Sequence, residues 1–232
     1  MARTIIFGDV HGCHEELAEL LALLEIAPGD RVISVGDLLN RGPDSHAVFD
    51  LVRAHNIECI LGNHELRLLR YRRTKDTALL KDYDYPTLET LTEEDWAIIE
   101  GMQKLIELPE LKTIIVHGGF LPNQPWQRQG VDLITRIQVI DRNGQPGKRS
   151  EMPDAKPWAD FWQGPPFVVY GHTPRPGILR RRWSLGIDTA CVYGGHLTAV
   201  ILPEKRIVRV PAHRTYARSR TLPQPIPQDS RG

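Results

Sequence analysis

Apolar and polar positions follow one another along this chain in a recurring order: a short apolar run, a glycine-marked polar cluster, then a helical stripe. Residues 4–7, Thr-Ile-Ile-Phe, predict a buried strand. Gly8 ends it and Asp9 and His11 follow on a turn. Leu17, Leu20, Leu21 and Leu24 then fall at i, i+3, i+4 and i+7, one face of a helix that Pro28-Gly29-Asp30 breaks. Residues 31–35 predict a second buried strand running into Gly36 and Asp37. Pro43, Asp44 and Ser45 are helix-start chemistry, with Ala47, Val48, Leu51 and Val52 as the apolar face behind them. Residues 57–61 predict a third strand, ending in Gly62-Asn63-His64-Glu65. Three βα units thus follow one another, each with a polar cluster just past its strand.

Residues 66–110 read as helical and surface-facing. Arg67, Arg70, Arg72 and Arg73 read as a solvated face, and Thr92-Glu93-Glu94-Asp95 as a capping box. Residues 113–116 predict a fourth strand, ending at His117-Gly118-Gly119, and residues 167–170 a fifth, ending at Gly171-His172-Thr173-Pro174. Between them, residues 121–165 are rich in Pro and Trp and predict long loops around one short helix near 130–138, forming a rim or lid. Trp126, Trp158 and Trp162 in that stretch either stack a nucleobase or pack the lid, and the residues leave both readings open. Residues 185–189, 197–202 and 207–210 predict closing strands, expected to be antiparallel. Residues 213–232 carry Arg, Pro, Gln and Ser without apolar periodicity, so a disordered tail is expected.

Charge and cysteine usage narrow the classes. The 232 residues hold 29 Lys plus Arg against 29 Asp plus Glu, a formal net charge of +0. That balance implies no specific nucleic-acid partner and no attraction to an anionic membrane. No apolar run reaches the length of about eighteen residues that a membrane span needs, so no membrane association is expected. Cys13, Cys59 and Cys191 are odd in number, far apart and form no CxxC pair, which argues against a disulfide framework or zinc ribbon. The chain also enters its first strand without a signal-peptide layout, and a cytoplasmic location is expected.

The five predicted strand ends carry Asp9 with His11, Asp37, Asn63 with His64, His117, and His172. Ligands of open α/β sheets gather at the carboxyl ends of strands, so neighbouring strands would bring these side chains to one crevice. Two carboxylates, three imidazoles and one amide oxygen suit a pair of borderline divalent ions such as Mn, Fe or Zn. An aspartate has two oxygens and can bridge two ions. His14, His46, His55, His196 and His213 lack this context and read as hydrogen-bonded core or turn residues.

GDVHG (8–12), GDLLNRG (36–42), GNHE (62–65), His117 with its glycines, and GHTP (171–174) together resemble the calcineurin-like metallophosphoesterases. The nearest pattern is the phosphoprotein phosphatase superfamily, which includes Ser/Thr protein phosphatases, diadenosine tetraphosphatases, ApaH-like phosphatases and the phosphatase module of polynucleotide kinase-phosphatases. The stretch 188–199, DTACVYGGHLTA, is similar to the ApaH-like and polynucleotide-phosphatase branches. The resemblance implies an α/β fold: a β-sandwich of mixed sheets flanked by helices, with the metal site at the carboxyl ends of the strands and residues 1–212 as one catalytic domain. It implies two divalent metal ions, Mn foremost with Fe or Zn as alternatives. Asp9 and His11 would bind the first, Asp37 would bridge, and Asn63, His117 and His172 would bind the second. Arg41 would grip phosphate, His64 would act as general acid, and Tyr193 and Trp126 are expected to contact substrate.

The implied reaction is direct in-line attack by a metal-bridging hydroxide on a phosphorylated small-molecule or macromolecular substrate. Asn40 departs from the protein-phosphatase pattern, which carries Asp there, paired with the GNHE histidine. Without that charge beside His64, a weakly basic leaving group is favoured. The preferred substrate is therefore a phosphoanhydride, such as a dinucleoside polyphosphate, nucleotide or polyphosphate. A Ser/Thr phosphatase or nucleic-acid-end phosphomonoesterase is the alternative, and a weakly catalytic metal- or phospho-ligand-binding module the alternative of another class. If Asp37 bridges two ions, Asp37→Ala should lower kcat by at least about three orders of magnitude, roughly 4 kcal/mol. Steady-state turnover of para-nitrophenyl phosphate tests this, and retention of a tenth of wild-type turnover would remove the dinuclear reading.

Overall fold

A computed structural model of the protein describes residues 2–219 and Leu222. Among the described residues the chain runs β1 (Thr4–Phe7), α1 (His14–Leu24), β2 (Arg31–Ser34), α2 (Ser45–Ala54), β3 (Glu58–Cys59), α3 (Asn63–Thr74), α4 (Asp84–Thr90), α5 (Glu93–Gly101), β4 (Leu105–Leu108) and β5 (Thr113–Val116). It continues through α6 (Val131–Ile134), β6 (Val139–Ile140), β7 (Pro146–Gly147), β8 (Lys156–Pro157), β9 (Phe167–Tyr170), β10 (Leu179–Arg181), β11 (Ser184–Gly186), β12 (His196–Leu202) and β13 (Arg206–Pro211).

The strands form two five-stranded mixed sheets and a small three-stranded one. The first sheet has the order β13-β12-β1-β2-β3, with β1, β2 and β3 parallel and β12 antiparallel to β1. The second has the order β10-β11-β9-β5-β4, with β5, β9 and β11 parallel between antiparallel edges. The two large sheets face each other. Ile6, Ile33, Ile60 and Val200 of the first share one buried cluster with Ile106, Ile115, Val169 and Leu185 of the second. Side chains alternate along a strand, so Ile5 and Phe7 point the other way, into the cluster that includes Leu17 and Leu20 of α1 and Val48 and Phe49 of α2. Ile114, Val116, Val168 and Tyr170 likewise turn to a third cluster with Phe120 and Trp158. Strands covered on both faces read as continuous apolar runs, which is why they were legible in the sequence. The expected sandwich of mixed sheets flanked by helices is the observed fold.

Several elements differ from expectation. β4 lies in a stretch expected to be helical. Only Ile106 and Leu108 turn inward, against β5, and four residues alternate too briefly to stand out among helices. β11 is parallel to β9, not antiparallel, because β10 intervenes and the chain reverses twice. Residues 121–165 hold the small sheet β7-β6-β8, and α6 is only one turn long. Residues 213–219, placed in the expected tail, lie against α1. The His213 amide and the Tyr216 hydroxyl both donate to Glu16 Oε1, at 2.9 and 2.8 Å, and the Tyr216 and Ala217 amides donate to the Val192 carbonyl. Such anchoring by single polar groups leaves no periodic trace in a sequence. Residues 220, 221 and 223–232 of that expected tail lie outside the described residues.

Ile115 is fully buried between the sheets. Ile115→Ala should cost about 2–5 kcal/mol in urea unfolding, the usual loss for a core aliphatic. The same truncation at Leu23, which is 61% exposed on α1, should stay within about 0.5 kcal/mol.

Candidate metal centre

The loops after β1, β2, β3, β5 and β9 meet at one edge of the sandwich, and their backbones are unusual. His11, Asp37, Asn40, Arg41 and His172 have φ values of 51°, 52°, 74°, 72° and 68°. That left-handed region is uncommon for residues with a side chain, and where it clusters the surrounding structure must enforce it. Here the first two loops are tied to each other: the Val10 and His11 amides both donate to the Asp37 carbonyl, at 3.1 and 2.9 Å, and the Gly12 amide donates to that of Leu38 at 2.7 Å. The wholly buried Glu65 carboxylate accepts from the amides of Asp37, Leu38, Leu39 and Gly62 at 2.8–3.4 Å. Two glycines are required by close approach. A Cβ at Gly62 would overlap Asp37 Oδ1, and one at Gly171 would overlap Asp9 Oδ1.

The side chains then converge. Asp37 Oδ1 accepts from the His64 amide at 3.0 Å. Its Oδ2 faces His117 Nε2 at 3.3 Å and His11 Nε2 at 3.7 Å. Carbonyls fix two of the histidine tautomers, since a carbonyl can only accept: His117 Nδ1 donates to Val35 at 2.7 Å and His11 Nδ1 to Leu39 at 3.1 Å, whereas His172 Nε2 faces both the Arg136 carbonyl at 3.0 Å and the Gln138 amide nitrogen at 3.2 Å. His11 thereby keeps Nε2 as a lone-pair donor, the usual arrangement behind a metal-ligating histidine, while His117 turns Nε2 to the Asp37 carboxylate. Asn63 Oδ1 lies 3.2 Å from His117 Nε2, and the Asp9 carboxylate accepts from the His172 amide at 3.0–3.1 Å. Two triads of donor atoms, each within 4.8 Å, result: His11–Asp37–His64 and Asp37–His117–His172, with Asp37 common to both.

Electrostatics point the same way. Burial pushes Asp9 well above the usual carboxylate range, with Asp188 and Asp37 adding to it. Asp37 is buried as well, yet His117 and His64 hold it well below that range. Burial would lower His117, but Asp37 and Asp9 prevail and raise it to about 10. His11 and His172 fall to about 3, through burial first and then through Arg41 and His117 respectively. A buried pocket that forces a proton onto one imidazole is a pocket that seeks positive charge. Carboxylate, imidazole and amide oxygen donors grouped around a shared aspartate fit a pair of divalent ions.

Asn40 and His64 sit beside this centre with partners that the sequence did not reveal. Asn40 Nδ2 lies 2.9 Å from His64 Nδ1 and donates to Asp84 Oδ1 at 2.8 Å. Arg67 grips Asp84 through two nitrogens, at 2.7 and 2.8 Å, and lies 3.3 Å from His64 Nδ1. Asp84 fixes the orientation of the Asn40 amide, so His64 Nδ1 meets donors alone and the ring proton resides on Nε2. Burial holds His64 well below the ordinary histidine range; Arg41, His11 and Arg67 reinforce this against Asp37. A carboxylate is therefore present after all, one hydrogen bond removed and neutralised by Arg67. Arg67 itself is buried and ion-paired, not part of a solvated face. Its position three residues after His64 on α3 was the available signal; Asp84, far along the chain, offered none. Asp188 is also buried beside the centre, raised to about 6 by burial, with Asp37 adding to the shift.

A cleft opens over these groups. One arm, a cavity of about 670 Å³, is lined by Asp37, Arg41, His64, Tyr83, Tyr193 and Arg218 among others. A second, of about 450 Å³, extends past Arg67, Arg70 and Arg136. Lys81 and Lys148 border both, and among the described lining residues Asp37 is the one carboxylate. The Arg41 guanidinium lies 5.1 Å from the Tyr83 ring and 5.7 Å from the Tyr193 ring, with Nη1 3.0 Å from His11 Nε2. Tyr193 thus reaches the cleft, whereas Trp126 does not line it. Trp126 packs 6.2 Å from Phe120, in the cluster that holds Trp158 and Trp162 over the outer face of the second sheet. Large apolar rings are consumed there in covering the sheet, and of the two readings left open for these tryptophans the structure shows packing.

The fold and the site define a phosphoesterase. The chain belongs to the calcineurin-like phosphoesterase family, whose sequence profile matches residues 2–215. It is 34% identical to the asymmetrical bis(5'-nucleosyl)-tetraphosphatase PrpE of Halalkalibacterium halodurans, over 90% of this chain and 94% of that one. It is 28% identical to the symmetrical bis(5'-nucleosyl)-tetraphosphatase of Methylobacillus flagellatus, over 90% and 95% of the two chains. A crystal structure of a candidate diadenosine tetraphosphatase superposes with a TM-score of 0.79 at 32% identity, covering 91% of this chain and 94% of that one. A yeast serine/threonine phosphatase shares the fold at a TM-score of 0.59 and 14% identity, covering 91% and 79%. The protein is accordingly a metal-dependent hydrolase of phosphate esters or anhydrides. Among the described residues no helix is long and apolar enough to cross a membrane.

The Asn40–Asp84 contact yields a test. Asn40→Asp would set two carboxylates in hydrogen-bond contact in the interior, so it should lower stability and activity together. Adding Asp84→Asn should recover most of the loss, with a coupling energy of about 1–3 kcal/mol in a double-mutant cycle read by denaturant unfolding. Additive losses would mean that the two side chains do not communicate.

Proposed function

We propose that the protein hydrolyses dinucleoside polyphosphates, cutting one phosphoanhydride of a bis(5'-nucleosyl) tetraphosphate. The observation that carries this reading is the two-armed cleft, whose arms share Arg41, Asn63, His64 and His172 and are both bordered by cations. A phosphomonoester needs room on one side of phosphorus, whereas a bridged nucleotide needs room on both. The names borne by the relatives in Halalkalibacterium halodurans and Methylobacillus flagellatus support the same substrate class.

In this reading Asp9 and His11 would hold one divalent ion and Asn63, His117 and His172 the other, with Asp37 common to both donor groups. Manganese suits this mixed oxygen and imidazole set, with iron or zinc as alternatives. Such a pair, when bound, supplies Lewis-acid stabilisation of the phosphoryl oxygens and an acidified water. Arg41, steadied between Tyr83 and Tyr193, offers its planar fork to the phosphate undergoing attack. His64 presents Nε2–H to the departing oxygen, held by Asn40 and Arg67 behind it. Lys81 and Lys148 neutralise the remaining phosphates. A phosphate expelled from an anhydride has a second pKa of about 6. An alkoxide has a conjugate acid near that of bulk water, about 16. The anhydride therefore asks little of His64 as a proton donor, and a phosphoserine asks much. The three cysteines, all free, fit a reducing compartment, and we place the enzyme in the cytoplasm, acting on small phosphorylated molecules.

The test is kcat/KM, with added Mn, for diadenosine tetraphosphate, tripolyphosphate and a phosphoserine peptide. Diadenosine tetraphosphate should exceed the peptide by at least about tenfold, or roughly 1.4 kcal/mol in transition-state binding. A tenfold preference for the peptide would overturn the proposal and make the chain a protein phosphatase.

A further inference from the structure

Behind the first catalytic loop lies a second cluster of ligand-type side chains that the reaction does not use. Cys13 immediately precedes α1, Glu16 lies in the first turn of that helix, and Cys191 lies between β11 and β12. All three are buried, with relative exposures of 0%, 0% and 2%. Their sulfur and oxygen atoms lie within 4.8 Å of one another. Glu16 Oε1 is occupied, accepting from the His213 amide and the Tyr216 hydroxyl. Glu16 Oε2 is buried and has no hydrogen-bond partner among the described residues. A buried carboxylate oxygen without a donor costs about 1–3 kcal/mol or more, so its retention beside two thiols calls for a reason.

We propose that Cys13, Glu16 and Cys191 form a binding site for one thiophilic divalent ion of the zinc class, separate from the dinuclear centre. Two sulfurs exclude magnesium, calcium and manganese and select zinc or its soft analogues, and the unpartnered Oε2 supplies a third ligand. Binding replaces both thiol protons, which leave to solvent, and forms two metal–sulfur bonds and one metal–oxygen bond to protein, with a water carried in by the ion completing four-coordination and no change of oxidation state. The donors then carry one negative charge more than the ion neutralises, and the positive end of α1, directly at Cys13, offsets it. The site is structural. It ties the loop after β1 to the loop that carries Tyr193, and through Glu16 to residues 213–219, which bring Arg218 to the cleft.

Cobalt(II) distinguishes this site from the dinuclear one, because only thiolate ligation gives an intense sulfur-to-cobalt charge-transfer band. Full-length protein, stripped with chelator and titrated with cobalt, should develop that band, with the final amplitude of one thiolate-bound cobalt per chain even though the dinuclear centre also fills. The band should persist in Asp37→Asn and in Cys59→Ser and disappear in the Cys13→Ser/Cys191→Ser double variant. Zinc-loaded wild type should hold one equivalent more than that double variant by elemental analysis. Should the double variant fold poorly, alkylation of native wild type gives the answer instead: zinc should protect Cys13 and Cys191 at least about tenfold more than Cys59. Folded wild type without the band at excess cobalt, a band retained in the double variant, or zinc without effect on alkylation would each overturn the proposal. Glu16 Oε2 would then face a buried water or carry a proton.

Discussion

The centre depends on a buried carboxylate whose oxygens are given to backbone amides. Glu65, wholly enclosed, takes four backbone amides from two loops, those of Asp37, Leu38, Leu39 and Gly62. Burial, together with the nearby charge of Asp37, raises it to about 7, and the amides oppose that shift. Together with the amides of Val10, His11 and Gly12, this cross-link holds the Asp37 loop in left-handed backbone at Asp37, Asn40 and Arg41. Three functions follow from one set of hydrogen bonds. Asp37 Oδ2 is aimed at His11 and His117, Asn40 is brought under His64, and Arg41 is delivered between two tyrosines. A low local dielectric strengthens each of these contacts and makes any unpaired member costly, so the network is rigid as a unit.

How much of this was legible depended on how each feature is encoded. The candidate ligands were readable because each follows a strand buried on both faces and is marked by glycine; Gly62 and Gly171 leave no room for a side chain against Asp37 and Asp9. In the structure Asp37, His11, His117 and His172 lie in two donor triads, which also take in His64, expected as the acid, and leave out Asp9 and Asn63. Asp84 was not anticipated, because a residue that acts by hydrogen bonding to a distant loop carries no periodic or glycine-marked signal; Glu65 and Asp188 lie in stretches that stood out, GNHE and 188–199, but nothing there marked their roles. Trp126 was misplaced for the opposite reason. Aromatic density is visible in a sequence, but whether a ring faces a cleft or a sheet is decided by the apolar area left to cover, here that of β5 and β9. Cys13 and Cys191 looked unrelated for want of any spacing rule linking a helix start to a late loop.

Overall charge also concealed local charge. The chain is neutral in sum, and many of its cations are spent in pairs: Arg70 with Asp132, Arg72 with Glu93, Arg31 with Glu58. Around the cleft the balance differs: although Lys148 is paired with Glu151 at 2.9 Å, Arg41, Lys81 and Arg218 also line a space whose one described lining carboxylate is Asp37. Net charge speaks to long-range attraction, and the disposition of a few residues speaks to what the site accepts.

The candidate ligands come from both halves of the sandwich: Asp9, His11, Asp37 and Asn63 follow strands of the first sheet, His117 and His172 strands of the second. Ions held between them would act as a clasp across the open rim, while Ile6, Ile115, Val169 and Val200 form the apolar seam between the sheets. Loading is then a mechanical event as well as a chemical one. By mass action, metal at a hundred times its dissociation constant adds about 2.7 kcal/mol to the folded state. The melting temperature of a preparation would serve as a gauge of its metal content, and substitutions deep in the apolar seam, far from any phosphate, would be felt as changes in metal affinity.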